Sequence, residues 1–80
     1  MKFGVYAIRD SKSGFMTPTF EPNDAVAMRN FTHAVLNSSS VLTSHAEDFT
    51  LFKIADFDSD TGHITPLELV VELMNGASVR

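Results

Sequence analysis

Hydrophobic and polar positions alternate over two stretches of this chain, and the period changes between them. From Lys2 to Arg9, Phe3, Val5 and Ala7 fall on one side, with Gly4, Tyr6 and Ile8 on the other. A period of two predicts a β-strand, here with both faces largely apolar. Phe49 to Phe57 reads the same way: Phe49, Leu51, Lys53, Ala55 and Phe57 share one face, and Thr50, Phe52, Ile54 and Asp56 the other. Between these runs, Ala27, Met28, Phe31, Ala34 and Val35 recur at helical spacing. They predict a helix from Asp24 to about Asn37, capped by Asn23, with Asp24 at the positive end of its dipole. Asn37 and Ser38-Ser39-Ser40 end it, and Val41 to Asp48 is a connector anchored by Val41 and Leu42.

Each strand run leads into a copy of one phrase. Asp10-Ser11-Lys12-Ser13-Gly14-Phe15-Met16-Thr17-Pro18 and Asp58-Ser59-Asp60-Thr61-Gly62-His63-Ile64-Thr65-Pro66 share Asp, Ser, Gly, Thr and Pro at the same places. The opening Asp can accept a hydrogen bond from backbone two residues on, and the Gly supplies a left-handed turn residue. The Thr-Pro stops the returning strand, since proline has no N–H for the ladder. Two hairpins follow, and the copies suggest a duplicated half. Thr19 to Pro22 is expected to be extended, because Pro18 and Pro22 disfavour helix just before them.

The last segment carries two patterns. Thr65-Pro66-Leu67-Glu68 has a helix start, with Thr as cap, Pro in the first position and Glu completing a capping box. Leu67, Val70, Val71 and Met74 then share a helical face, and Gly76 is placed to stop it. Leu67, Leu69, Val71 and Leu73 also alternate, with Glu68 and Glu72 opposite, as in an edge strand. The helix is preferred because its start and stop signals agree with its period. The expected fold is therefore α+β and single-domain: hairpin 2–18, helix 23–37, hairpin 49–64 and helix 66–75. Its order is ββαββα, with a four-stranded, mainly antiparallel sheet. Two helices cover one sheet face, so the other is expected to meet a second subunit, as in a dimer, or another partner.

Composition narrows the chemistry. The chain has 80 residues, no Cys, and a net charge of −4 from six Lys and Arg against ten Asp and Glu. A chain of this size buries only about 60% of its unfolded surface. Disulfides and thiolate metal sites are excluded. No apolar run approaches the ~20 residues of a membrane span, and no signal-peptide pattern opens the chain, so a soluble intracellular protein is expected. The acidic balance argues against tight non-specific nucleic-acid binding, which rests on cations displacing counterions, but leaves room for a local basic patch.

Candidate sites are few. Asp56, Asp58 and Asp60 suggest a calcium loop, but Gly62 and Glu68 each fall one residue late for that motif, and Lys12 replaces Asp60 in the other copy. A plain turn is preferred, with a calcium-binding structural module as an alternative. His33, His45 and His63 lack ligand spacing. No nucleophile elbow or glycine-rich phosphate loop occurs, so neither catalysis nor a cofactor is expected. Asn30-Phe31-Thr32 matches a glycosylation sequon but lies within the expected helix. The nucleic-acid case rests on Tyr6, Phe15, Phe52 and Phe57 near Lys2, Arg9, Lys12 and Lys53. Sheet aromatics can stack single-stranded bases while cations hold the backbone. The phenylalanines are expected in the core. That leaves Tyr6, Arg9, Lys12 and Lys53 as the residues expected to contact nucleic acid or a protein partner.

A family pattern runs through the same residues. It comprises Val5-Tyr6 followed by Asp10, Asn23-Asp24-Ala25-Val26-Ala27 with Arg29 and Phe31, and His45-Ala46-Glu47-Asp48-Phe49 with Leu51-Phe52. Asp56-Phe57-Asp58 closing on Thr61-Gly62 completes it. From Phe3 to Gly62 the chain resembles the small nonstructural protein of gokushoviruses, the single-stranded-DNA phages of the Microviridae. Ala46 stands where that family commonly has Pro, and Ala55 where Gly is usual. The resemblance implies a non-capsid protein made in the cytoplasm of the infected bacterium, outside the virion shell. It implies a part in viral DNA replication, at the switch toward making and packaging single-stranded genomes, and attaches no catalytic residues. The combined expectation is a non-catalytic accessory protein that binds single-stranded DNA or the replication complex, most simply as a dimer. The alternative is a protein–protein module without DNA contact.

Overall fold

The computed structural model describes residues 1–79. In chain order it contains β1 (Lys2–Asp10), β2 (Gly14–Phe15), β3 (Thr19–Glu21), α1 (Asp24–Asn37), α2 (Val41–Ser44), β4 (Phe49–Asp58) and β5 (Ile64–Asn75), with short 3-10 turns at Ala46–Asp48 and Gly76–Val79. The strands form one antiparallel sheet in the order β2-β1-β4-β5, with β3 also paired to β1. Since β4 occupies one side of β1, β2 and β3 share the other as an interrupted edge. Between them, the Met16 N–H donates to the Ile8 carbonyl at 2.8 Å.

The turns of both copies fold as the residue types require, but the expected stop at Thr-Pro fails in the second copy, where Thr65 and Pro66 lie inside β5 opposite Asp56 and Ala55. The Asp10 carboxylate accepts from the Lys12 N–H at 2.9 Å, and Asp58 from the Asp60 N–H at the same distance. Gly14 and Gly62 take φ of 101° and 79°, which side chains with a Cβ rarely adopt. Helix α1 starts where its cap predicts, with the Asn23 side chain accepting from the Val26 N–H at 2.9 Å. It buries Ala27, Phe31 and Val35 against Tyr6, Phe49, Leu51 and Ala46. Ile8, Met28, Leu42, Leu73, Met74 and Val79 pack around that core. Gly4 serves Tyr6: a Cβ at Gly4 would strike the Tyr6 ring.

Three expectations are corrected. First, residues 66–75 are not a helix but most of β5. Local start and stop signals are worth about a kcal/mol or so each. Against them stands a ladder that satisfies the outer edge of β4, and Leu73 and Met74 reach the core only from this strand. The helix start is not silent, however. Between the pairs Ala55↔Pro66 and Lys53↔Val71, Leu67 to Val70 face Ile54 alone, so the strand bulges at the residues that carried the helix signals.

Second, the sheet has five strands rather than four. Thr19–Glu21 pairs with β1, and the element order is βββααββ rather than ββαββα.

Third, the alternation of β4 slips. Its register with β1 runs Lys53↔Tyr6 and then Ala55↔Val5, so Ile54 is extra. Past that bulge the faces exchange. Ala55 and Phe57 join Phe52 and part from Leu51 and Lys53, against the strict period of two.

Candidate nucleic-acid interface

The slipped register gathers aromatic rings on the face away from α1. Cross-strand partners share a face, so Phe3 and Phe57, Val5 with Ala55 and Phe20, Ala7 and Phe52, and Arg9 with Phe15 and Thr50 all lie together. Ile64 and Pro66 of β5 continue the row. Five of the seven phenylalanines are here, and only Phe31 and Phe49 belong to the helix-side core. Val5, Ala7 and Ala55 are buried beneath the rings.

The rings form two groups. Phe15 meets Phe52 edge-on at 5.4 Å between centroids. Phe20 meets Phe57 edge-on at 5.2 Å, and Phe3 leans on Phe57 at 6.2 Å. Such contacts hold each ring in place beyond simple burial. Phe15 and Phe20 remain 50% and 48% exposed, because no helix among the described residues covers this face. The expectation that Phe15 is core is thus corrected, and Phe20, which the sequence reading did not single out, joins it at the surface. The signal that could have located Phe20 was the strand edge at Thr19–Glu21, which sets it beside Val5.

The four residues singled out from the sequence separate. Arg9 is exposed on the aromatic face beside Phe15, and Lys12 sits in the adjoining turn. Tyr6 and Lys53 are paired on the opposite, helix-covered face. Tyr6 is 1% exposed and donates its hydroxyl to Asp24 at 2.6 Å, so the expected surface position is corrected. Burial, followed by the Asp24 hydrogen bond and charge, raises its pKa well above the ordinary 10. Lys53 is held by Asp56 at 2.9 Å, inside a polar cleft of about 450 Å³ that Tyr6 and Asp24 also line. Among the described residues Lys2 is paired as well, with Asp58 at 3.4 Å, whereas neither Arg9 nor Lys12 takes part in an ion pair.

The acidic phrase does not converge. Asp56 turns to Lys53, while Asp58 accepts from the Asp60 N–H and pairs with Lys2. Those interactions, the Asp60 hydrogen bond first, lower the Asp58 pKa. Among the described residues no three His, Asp or Glu side chains are grouped to hold a metal ion. His33 touches Asn37, His45 touches Ser44, and His63 lies in the second turn, each apart from the others.

These features define a small α+β protein with one helix-covered sheet face and one bare aromatic face. The chain belongs to the phage ORF5 protein family, which it matches over residues 3–79. No curated protein and no solved structure matches it. Among the described residues no helix is long and apolar enough to cross a membrane.

Proposed function

We propose that this phage protein is a non-catalytic accessory factor of viral single-stranded DNA synthesis or packaging, acting in the host cytoplasm by binding single-stranded DNA with its bare sheet face. The gokushovirus resemblance supplies the biological setting. The observation that carries the physical reading is the uncovered aromatic face with Arg9 beside Phe15 at one end. Exposed rings on a sheet stack unpaired bases, and nearby cations hold phosphates. A duplex hides its bases from such a flat surface, so single strands are the fitting form.

Anisotropy titration of a labelled oligothymidylate tests this. Two phosphate contacts give a log–log salt slope of about −1.4, so affinity falls about sevenfold for a fourfold rise in salt. Replacing Arg9 and Lys12 by Ala flattens that slope, while replacing Lys53 leaves it unchanged. Absence of binding at low salt overturns direct DNA contact.

A second reading has its own support. The chain carries a net charge of −4, and a face bearing five phenylalanines also suits a protein, either a replication component or a second copy forming a dimer. Sedimentation showing dimers that dissociate when Phe15 and Phe20 are replaced by Ser favours this reading over the first.

A further inference from the structure

We infer that the notch between α1 and the broken outer edge of β1 is a binding site for a small hydrophobic amine, whose apolar body fills the notch and whose ammonium meets Glu21. The site lies on the helix-covered side of the sheet, so it goes beyond the DNA reading and stands or falls apart from it.

The sequence opens the notch from two sides. On the sheet, Thr17 and Pro18 belong to neither β2 nor β3, so the strand beside β1 is broken there. On α1, Ala27, Asn30, Phe31 and Ala34 share one stripe at helical spacing, and the alanines flanking Phe31 are too short to fill the gap. What remains is a cavity of about 180 Å³. Its floor is the core itself: Tyr6, Ala27, Phe31 and Leu51, each at most 4% exposed. An apolar cavity of about 150 Å³ holds a benzene ring, so one ring or one branched aliphatic group is the size that fits.

The polar lining selects the charge of the occupant. Register sets Thr19 and Glu21 opposite Tyr6 and Gly4, and Thr17 and Asn30 join them around the cavity. All four are open to a ligand. Among the described residues, side-chain hydrogen bonds along the chain stop at Ser13 and resume at Asn23, and on α1 they involve Asp24, Thr32, His33 and Asn37 but not Asn30. Glu21 is the one charged residue lining the cavity and, among the described residues, takes part in no ion pair. An apolar floor with a few convergent polar groups is the usual form of a small-ligand site. A single unpaired carboxylate accepts an ammonium and repels an anion, while the threonine and asparagine oxygens can take the remaining N–H groups. The larger polar cleft nearby is less suited, because Lys53 is paired there with Asp56, and Tyr6 with Asp24.

The test is a backbone amide NMR titration of the full chain with benzylamine, followed by benzyl alcohol and benzoate. Benzylamine is expected to bind with a Kd on the order of 1 mM, fitting for so small a ligand. Its shifts should centre on Ile8, Thr19, Glu21, Phe31 and Ala34 and spare Phe15 and Phe57. Benzyl alcohol binds more weakly and benzoate not at all. Glu21→Gln keeps the shape, weakens benzylamine by about threefold to tenfold, and leaves benzyl alcohol unchanged. Ala34→Leu puts an isobutyl group into the cavity and weakens both ligands by about tenfold or more; its own spectrum reports whether the fold is kept, and Glu21→Gln carries the test if it is not. No shifts at tens of millimolar benzylamine, or shifts centred elsewhere, overturn the site. Equal binding of the amine and the alcohol, indifferent to Glu21→Gln, overturns the assignment of a cation. Each of these results leaves the reading of the bare face untouched.

Discussion

At the scale of single residues, Tyr6 shows how a polar group is kept inside. Its ring lies across Gly4, and its hydroxyl reaches Asp24 at 2.6 Å. The folded state therefore holds the phenolic proton more tightly than the unfolded chain does. Stability from this source is full below pH 10 and is lost as pH rises above it. Urea denaturation at pH 7 and pH 10.5 checks this: Tyr6→Phe costs about 1–3 kcal/mol at pH 7 and removes the alkaline loss. Asp58 acts with the opposite sign. Its lowered pKa gives stability that is present above its ordinary value of 3.8 and is lost as pH falls through the folded-state value. Asp58→Asn therefore flattens the acid limb of the stability profile in thermal melts between pH 5 and pH 2. Gly4→Ala is expected to destabilise by about 1–3 kcal/mol, because the Tyr6 ring must move.

At the scale of elements, the turns and α1 were legible because short-range chemistry decides them. Asp two residues before a donor, Gly in a left-handed position, and Asn at a helix cap act within a few residues of themselves. Gly14→Ala and Gly62→Ala should each cost about 1–2 kcal/mol in chemical denaturation, and by similar amounts, since both turns use the same device. The final strand was not legible, because its competing patterns are settled by a distant partner. Only the unpaired edge of β4 and the core positions of Leu73 and Met74 select the strand. Leu69→Lys, at 81% exposure, should change stability in chemical denaturation by less than about 0.5 kcal/mol, whereas Leu51→Ala, in the core, costs about 2–5 kcal/mol. The β4 bulge was hidden for a related reason. Nothing around Ile54 interrupts the alternation, yet one extra residue there moves Phe57 to the other face. That misplacement is why Lys53 was grouped on one face with Phe57.

At the scale of the whole molecule, the chain is one sheet with one covering layer. Its extents of 39 × 21 × 18 Å describe a slab rather than a sphere. One face is packed by α1 and its neighbouring turns, with Tyr6, Phe31, Val35, Phe49 and Leu51 at the centre. The other holds most of the aromatic mass, with only small side chains buried under it. A chain built for stability alone would cover those rings. Leaving them bare beside Arg9, in a phage protein, is what the binding account explains. The most direct measurement is a backbone amide NMR map of the full chain with and without an eight-nucleotide oligothymidylate. The account predicts shifts concentrated at Arg9, Lys12, Phe15, Phe20, Phe52 and Phe57, with α1 and the Lys53–Asp56 cleft unmoved. Shifts confined to that cleft or to α1, or none at saturating oligonucleotide, would contradict it.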